Sequence, residues 1–489
     1  MTFTSLTFLI FFSLVFLLYW GLNERRSQNM LLLAASYLFY GWWDWRFCGL
    51  ILFSSLVDYF GAIRVDQSQT KARAKFWLLV SVVINLSLLG YFKYANFFLD
   101  SFYQIMGSFG WSDSGLLKII LPVGISFYTF QTISYTIDVY RKKIKPTRSL
   151  PDYLVYVSFF PQLVAGPIER GAHLLPQFLN KRRFDPKLAS DGMRQILWGC
   201  AQKIVIADNL GPRIVSPVYA DLSASSGPLI IIATVCFAFQ IYCDFAAYSN
   251  IAIGVSKLLG FDLMKNFAYP YFSQSVDEFW RRWHISLSTW FRDYLYIPLG
   301  GNRCGRSRYA FNVLFTFGVS GLWHGAAWTF VVWGLLNGLG VLPGILKSEN
   351  SANKSAPGAL PGGSNLFPSF GVIWRILFTF SFICLTWVFF RANSLTDALA
   401  GLAQIPKGIF NPSLWQDALV FLRSGDGLTA VLMLCVFVGF EWIARSHDHA
   451  LQCLKTLPTS MRWGCYFLIW LLTLIFFPMQ PSEFIYFQF

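Results

Sequence analysis

The sequence predicts an all-α protein that crosses a membrane several times. Hydrophobic residues make up 55% of the 489 residues and charged residues only 13%, whereas soluble domains carry roughly 25% charged residues. The apolar residues gather in successive runs, many of them near the roughly 20 residues that a helix needs to cross a bilayer. Composition and run length together indicate an integral membrane protein built from helices.

Twelve apolar runs are predicted to span the membrane, and four shorter stretches are predicted to form interfacial or re-entrant helices. The predicted spans are 5–22, 29–43, 47–62, 76–92, 117–139, 190–208, 227–243, 308–321, 325–345, 371–390, 428–444 and 462–478. The shorter stretches are 94–106, 150–165, 247–260 and 273–297. The segment 347–368 is rich in Ser, Asn, Gly and Pro, which predicts an exposed loop. The rest suggests one membrane domain over residues 1–489.

Basic residues predict the orientation of the chain. The first run has no basic residue before it and no small-residue cleavage pattern after it, so we predict a retained span and not a signal peptide. Arg25 and Arg26 follow this span, and the positive-inside rule places them in the cytoplasm and the N-terminus outside. The basic run 141–145 marks a further cytoplasmic loop.

Charge and cysteine usage narrow the possible partners. Membrane topology and anionic lipid explain the net charge of +14, with an anionic substrate as the alternative. No long soluble basic domain exists to bind nucleic acid. The nine cysteines are scattered without a C-x-x-C pair, which argues against a disulfide framework or a zinc site. The lack of an evident internal repeat argues against a secondary transporter.

The segment before His284 carries helix signals. Ser275 followed three residues later by Glu278 is a capping-box pattern, so we predict that a helix begins there. Asp277 and Arg281 stand four residues apart on that helix, a spacing that allows an ion pair. The segment is too polar to face lipid, which leaves an amphipathic helix packed against the bundle or lining a water-filled cavity.

His284 itself is predicted to lie on one face of this helix with Trp280 and Ser288. Histidine is the side chain most easily tuned to exchange a proton near neutral pH. A histidine in membrane-like sequence is therefore a functional candidate with a partner to be found. The alternative is an interfacial helix with an ordinary hydrogen-bonded histidine.

His324 is the second candidate for proton transfer. It lies among small residues, including Gly321, Gly325 and Ala326, which leave room for a close neighbour: another helix or a substrate. No acidic residue occurs between positions 309 and 347, so a carboxylate partner would have to come from elsewhere in the fold. The alternative is a helix-packing histidine bonded to a carbonyl.

Other polar residues give weaker signals. His173, His447 and His449 are interpreted as solvated loop residues, since no third metal ligand is evident near them. Asp244 lies inside an apolar run and needs a partner, which makes it either a functional group or half of a structural ion pair. The segment 160–170 contains two helix-breaking prolines and is either re-entrant or a plain connecting loop.

Six segments of the chain carry a resemblance to a known family: 161–168, 244–249, 277–287, 294–303, 322–326 and 482–489. Through them the sequence resembles the membrane-bound O-acyltransferase superfamily, most closely its bacterial alginate O-acetyltransferase branch. The resemblance runs through nearly the whole chain. Two details depart from that branch: Ala246-Ala247 replaces a common Ser-Gly, and Asn250 replaces a common Asp.

The resemblance implies both a shape and a reaction. The shape is a ring of tilted helices around a thinned centre, with funnels on both faces through which a cytoplasmic acyl donor meets an outer acceptor. The position of His324 is the essential residue of the superfamily, and that of His284 is its second signature residue. In polysaccharide-modifying relatives, periplasmic acetyltransferases complete delivery, so the resemblance implies such partners and an exported glycan as acceptor.

A mechanism follows from these expectations. His324 is predicted to be the base that takes a proton from an acceptor hydroxyl, which then attacks the thioester of acetyl-CoA or another acyl carrier. His284 is predicted to orient the donor or bond the developing oxyanion, with Trp280 packing the site. The predicted substrate-binding residues are Trp280, Arg281, Arg282, Arg303 and Asp244, with the three arginines as candidates for holding donor phosphates. No metal or bound cofactor is predicted.

The expected location is the bacterial inner membrane. Two other function classes remain open for this sequence. One is a transporter or flippase for an acyl donor or a lipid-linked sugar, without chemistry of its own. The other is a non-catalytic scaffold of an export complex, against which the intact histidine pair argues.

Overall fold

The protein is described from a computed structural model that covers residues 1–107, 119–164, 166–346, 366–478 and 484–485. These residues form α-helices joined by short 3₁₀ and π turns, with no β-strand among them. Five helices within this part of the chain are long and apolar enough to cross a membrane: Arg46–Asp66, Lys71–Tyr103, Gly227–Leu258, Phe370–Arg391 and Gly427–Ala444. The predicted all-α, multi-pass membrane fold is confirmed.

The chain divides into two compact units. The first unit comprises Met1–Met193 and Ala252–Met264, and the second comprises Arg194–Ile251 and Lys265–Phe489. The α-helices of the first unit are Leu6–Gly21, Arg25–Asp44, Arg46–Asp66, Lys71–Leu89, Ala95–Gly107, Ile125–Tyr140, Leu150–Ser158, Phe160–Leu163 and Gly171–Leu179. The π turn Gly90–Tyr94 joins Lys71–Leu89 to Ala95–Gly107, so that Lys71–Tyr103 forms one continuous span. The single membrane domain expected from the sequence stays a prediction.

The second unit holds both candidate histidines. Its α-helices are Asp208–Leu210, Ser216–Ala220, Val276–Arg282, Ile285–Phe291, Arg306–His324, Trp328–Leu346, Phe370–Arg391, Leu395–Gly408, Pro412–Ser424, Gly427–Ala444 and Thr459–Ile475. Its π turns are Gln202–Ala207, Gly211–Val215 and Arg292–Tyr296, and its 3₁₀ turns are Pro270–Phe272 and Ala450–Thr456. Two helices contain residues of both units: Pro186–Ala201 and Gly227–Leu258.

Helices begin where the sequence supplies capping side chains. The hydroxyl of Ser5 accepts from the Phe8 amide at 3.1 Å, and that of Thr70 accepts from the Arg73 amide at 3.3 Å. Such side chains satisfy amides that have no partner inside the helix. Each of the twelve predicted spans overlaps a helix.

Three boundary predictions need correction or fall outside the described residues. The stretch 94–106 is not a separate short helix, because Ala95–Gly107 continues the helix that begins at Lys71. The stretch 247–260 is not a separate short helix, because residues up to 258 continue the 32-residue helix Gly227–Leu258. Asp244 interrupts the apolar pattern but has a cationic partner, so the helix does not break there. Most of the predicted loop 347–368 lies outside the described residues, and its last residues, 366–369, are non-helical.

One helix pair in the second unit carries His324. Helices Arg306–His324 and Trp328–Leu346 run against each other with their backbones in close approach. A Cβ atom at Gly321 would collide with the carbonyl of Phe330, and one at Gly334 would collide with that of Phe317. Small residues permit such close packing. The neighbour that the glycines around His324 accommodate is therefore a helix.

Candidate active site

The helix before His284 begins as predicted. It spans Val276–Arg282, and the Ser275 hydroxyl accepts from the Glu278 amide at 3.2 Å. Arg281 pairs with Asp277 across one turn at 2.8 Å, which confirms the predicted spacing. Capping and pairing both follow from local sequence, and this accounts for the agreement.

The predicted face shared by Trp280, His284 and Ser288 is wrong. The helix ends at Arg282, His284 adopts a left-handed backbone conformation with φ of 43°, and a second helix spans Ile285–Phe291. A neighbouring segment of the chain imposes this break. The Ile285 amide donates to the carbonyl of Asn266 at 2.9 Å, and the Arg282 carbonyl accepts from the Ala268 amide at 3.0 Å.

His324 is the last residue of its helix and is almost completely buried. Gly325 follows in an extended conformation and ends the helix. The imidazole of His324 packs edge-on against the rings of Trp323 and Trp333, each at 5.0 Å between centroids, and against Phe390 at 5.8 Å. A helix end therefore delivers this imidazole into an aromatic cage.

The structure brings His284 and His324 together. Their ring centroids lie 6.3 Å apart with an interplanar angle of 62°. Trp323 contacts both imidazoles, and Phe245 packs edge-on against His284 at 4.6 Å. At this separation one reacting group between the rings can be within hydrogen-bond reach of both. The geometry suits paired acid–base chemistry.

Burial sets the protonation state of His284. This residue is 0% exposed and lies between two short helices, outside the membrane-spanning segments. Loss of solvent disfavours the charged imidazolium, and this burial lowers the pKa of His284 to about 3. The ring is therefore neutral at pH 7, with one nitrogen that donates a hydrogen bond and one that accepts.

Trp280 packs the site from behind Trp333. Its ring lies edge-on to Trp333 at 5.6 Å, and its indole N–H donates to the Oδ1 atom of Asn337 at 3.3 Å. The amide of Asn337 donates in turn to the Trp333 carbonyl at 2.9 Å. Sequence reasoning missed Trp333, Phe390 and Asn337, although a polar Asn337 in an apolar run is the kind of signal that could have pointed to the site.

Two of the three predicted arginines pair with carboxylates of their own helix, and the third is exposed. Arg281 pairs with Asp277, and Arg282 pairs with Glu278 at 2.8 Å. Arg303 is exposed and precedes the 19-residue helix that ends in His324. At 1.5 Å per residue, the two ends of this helix, Arg306 and His324, lie roughly 27 Å apart.

Asp244 belongs to a buried ionic group. Its carboxylate lies 2.7 Å from the Lys203 ammonium, which also lies 2.9 Å from Asp208. Its other oxygen accepts from the backbone amide of Ile485 at 2.7 Å. The partner that the sequence requires for Asp244 is thus Lys203, and the same carboxylate anchors a C-terminal residue.

Two histidines interpreted as solvated loop residues are placed differently. His173 lies in helix Gly171–Leu179, with Nδ1 at 2.8 Å from Glu169 and Nε2 at 3.4 Å from Asp262. Hydrogen bonds to Asp262 and then Glu169 raise the pKa of His173 to about 10. His449 is buried at the start of a 3₁₀ turn. For His173, the partner that sequence reasoning could not supply is Asp262, which is distant in sequence.

The segment 160–170 is not an exposed connecting loop. Phe160–Leu163 forms a short buried helix, and residues 166–169 beyond it are also buried. Glu169 accepts a hydrogen bond from the Met264 amide at 2.6 Å. Pro161 lies in the first turn of this short helix, Pro167 follows its end, and the described residues of the segment pack inside the first unit.

Comparisons with known proteins decide the family. Residues 141–384, which include both histidines of the pair, match the model of the membrane-bound O-acyltransferase family. The chain is 38% identical to the Probable alginate O-acetylase AlgI of Pseudomonas putida, over 90% of this chain and 86% of the relative. The chain belongs to the membrane-bound O-acyltransferase family. It is an O-acyltransferase of the alginate O-acetyltransferase-like branch, which confirms the resemblance seen in the sequence.

More distant members of this O-acyltransferase family carry other names. The chain is 32% identical to the Peptidoglycan O-acetyltransferase of Helicobacter pylori, over 94% of this chain and 91% of the relative. It is 28% identical to the Teichoic acid D-alanyltransferase of Bacillus subtilis, over 56% of this chain and 70% of the relative. The names share acyl transfer and differ in acyl group and acceptor.

Proposed function

We propose that this O-acyltransferase moves an acetyl group from a cytoplasmic thioester donor towards an exported polysaccharide or a periplasmic acetyltransferase partner. The donor is acetyl-CoA or another acyl carrier. The observation that carries the proposal is the pair of buried imidazoles, 6.3 Å apart among aromatic rings. The names of the relatives support an acetyl group and a glycan acceptor.

In the proposed reaction, a nitrogen of His324 takes the proton of an acceptor hydroxyl. The hydroxyl oxygen forms a bond to the thioester carbonyl carbon, and the carbonyl oxygen becomes an oxyanion. The C–S bond then breaks, and the proton on His324 passes to the departing thiolate. A positioned base of this kind contributes on the order of 10²-fold to 10⁴-fold to a rate.

His284 assists as the hydrogen-bond donor in this proposal. Its neutral ring keeps one N–H, which can stabilise the oxyanion where water is excluded. The aromatic cage formed by Trp323, Trp333 and Phe390 keeps bulk water from the thioester. Trp280 supports that cage through Trp333. Water exclusion favours transfer to the acceptor over hydrolysis.

The remaining predicted binding residues have different proposed roles. Arg281 and Arg303 have exposed side chains and are proposed to hold phosphates of the donor away from the reacting carbon. Arg282, which bonds Glu278 and the carbonyl of Ala268, is proposed to hold the turn before His284 as well as donor phosphate. Asp244 is proposed to act by anchoring the C-terminal segment.

The proposed setting is the bacterial inner membrane, with the N-terminus outside. Arg25 and Arg26 after the first helix support this orientation. The proposed partners are periplasmic acetyltransferases that pass the group to alginate, cellulose or another exported glycan. Acceptor and donor then approach the histidine pair from opposite sides of the membrane.

The test of this proposal is thioester cleavage by the purified protein. The protein in nanodiscs receives acetyl-CoA labelled in its acetyl group, with the native partner and glycan supplied. We expect free CoA and labelled partner or glycan, and neither product from a His324→Ala variant at equal protein level. Movement of intact labelled donor into sealed vesicles, with no thioester cleaved, would instead establish a transporter.

A further inference from the structure

The backbone of His284 adopts a conformation that a histidine rarely takes. Its φ of 43° and ψ of 55° lie in the left-handed region. A residue with a Cβ atom meets steric repulsion there, so the conformation persists only where surrounding contacts fix it. His284 is also completely buried. Contacts within the second unit must therefore stabilise this left-handed turn.

Asn266 supplies the contacts that follow the turn. Its carbonyl accepts from the Ile285 amide at 2.9 Å, and its side-chain oxygen accepts from the Ser286 hydroxyl at 2.6 Å. These two donors belong to the residues directly after His284. Asn266 is only 1% exposed and Ser286 is 0% exposed, so water cannot replace either bond.

The other end of the Asn266 amide reaches the helix that packs against the imidazole. The side-chain N–H of Asn266 donates to the Ser249 hydroxyl at 3.0 Å. Ser249 stands four residues after Phe245 on helix Gly227–Leu258, and the ring of Phe245 lies edge-on to His284 at 4.6 Å. One amide thus connects the backbone of the turn to the helix that contacts its side chain.

We propose that Asn266 is a positioning residue, which fixes His284 in the left-handed turn and thereby aims its imidazole at the reacting group. The inference rests on the proposed function of His284 in acyl transfer. Loss of the Asn266 side chain removes one hydrogen bond from each of two buried hydroxyls, those of Ser286 and Ser249. The turn then relaxes towards an ordinary helical conformation, and the imidazole moves away from His324.

The test compares Asn266→Ala with a matched variant, Asn209→Ala. Asn209 is also buried in the second unit, at 5% exposure, and its amide donates to the carbonyls of Ile204 and Val205 at 2.7 and 3.3 Å. We expect Asn266→Ala to lower kcat for acyl transfer on the order of 10-fold to 100-fold with little change in KM for acetyl-CoA. Asn209→Ala should lower kcat much less.

Testing Asn266→Ala in a His284→Asn protein as well as in the native chain separates a positioning role of Asn266 from general stabilisation of the fold. Asparagine adopts the left-handed conformation more readily than histidine, because its short polar side chain can hydrogen-bond locally, so the turn in a His284→Asn protein needs less support. Asn266→Ala should therefore lower kcat by a smaller factor in that background than in the native chain. The thermal-unfolding midpoint, measured in detergent without substrate, should also fall less.

Equal losses in both backgrounds would overturn the proposal, as would a kcat for Asn266→Ala no lower than that for Asn209→Ala. The thermal comparison needs no catalysis, so it still decides the role of Asn266 at the turn if the acyl-transfer proposal fails. If Asn266→Ala does not fold, Ser286→Ala removes only one donor to Asn266. This milder variant should show the same dependence on background, with smaller losses.

Discussion

Two histidine environments in this protein place the same side chain in opposite roles. In the second unit, His284 and His324 pack against aromatic rings and against each other. In the first unit, His173 lies between the carboxylates of Glu169 and Asp262. Burial lowers the pKa of His284 to about 3, whereas the two carboxylates raise that of His173 to about 10.

The difference shows that the residues around a histidine, more than the histidine itself, determine its protonation state and its role. The neutral ring of His284 keeps one N–H that can donate a hydrogen bond to a reacting oxygen. An imidazolium held by two carboxylates uses both of its N–H groups in an ion pair. The first environment is therefore suited to binding a reacting group and the second to structure.

Removing His324 should have the largest effect. We expect His324→Ala to lose acyl transfer by on the order of 10²-fold or more, because the variant lacks the proposed base. His173→Ala is the matched control and should retain most of the activity. Both variants are compared at equal membrane level by transfer of labelled acetyl. Near-normal transfer by His324→Ala would remove the proposed mechanism.

Changing His284 should have a graded effect. Asparagine keeps an N–H donor of similar reach and accepts the left-handed turn, but it cannot act as a base near neutral pH. We therefore expect partial transfer from His284→Asn and much less from His284→Ala. If both variants match the native rate, His284 is structural and the two environments do not differ in function.

A buried ionic group without a histidine provides a further comparison: Lys203 lies between Asp208 and Asp244. Lys203→Met leaves two buried carboxylates without their cation, which should destabilise the fold by about 3–5 kcal/mol. Thermal unfolding in detergent measures this loss. Replacing all three groups with apolar residues should restore much of the stability. If Lys203→Met alone unfolds at the same temperature as the native chain, the ionic group does not stabilise the fold.

The His173 cluster should give the smallest effect, and it should depend on pH. Its folded pKa is raised to about 10, above the roughly 6.5 of an unfolded histidine. The contribution to stability is thus complete below about pH 6.5 and is lost as pH rises towards 10. The side chain of His173 is 37% exposed, so solvent reduces the gain.

His173→Gln provides the comparison, because glutamine keeps hydrogen-bonding capacity without a titratable charge. The native chain should be the more stable of the two at pH 6, and the difference in thermal midpoint should shrink as pH approaches 10. A difference that stays constant across this range would mean that His173 is not held as an imidazolium.

Much of the fold follows from the sequence because its signals are local. Run length predicted the positions of the helices, and the Ser275 cap and the Asp277–Arg281 spacing were confirmed. Family motifs singled out His284 and His324, which the structure brings together. Each of these rests on residues within one helix or one motif.

The errors arise where distant residues act. The helix before His284 ends because the Arg282 carbonyl and the Ile285 amide bond to Ala268 and Asn266. The helical periodicity of residues 275–288 does not indicate this contact with a separate segment. His173 is not a solvated loop residue because Asp262 lies far along the chain. Local patterns thus identify reactive groups, while the contacts that set their roles come from tertiary structure.

The contrast between the histidine environments is tested most directly by the protonation state of each ring. The chain has five histidines, so ¹⁵N-histidine NMR of the protein in lipid can assign each signal with single-residue variants. At pH 7.5, we expect a neutral ring at His284, with one protonated nitrogen, and an imidazolium at His173. A charged His284 together with a neutral His173 would contradict this expectation.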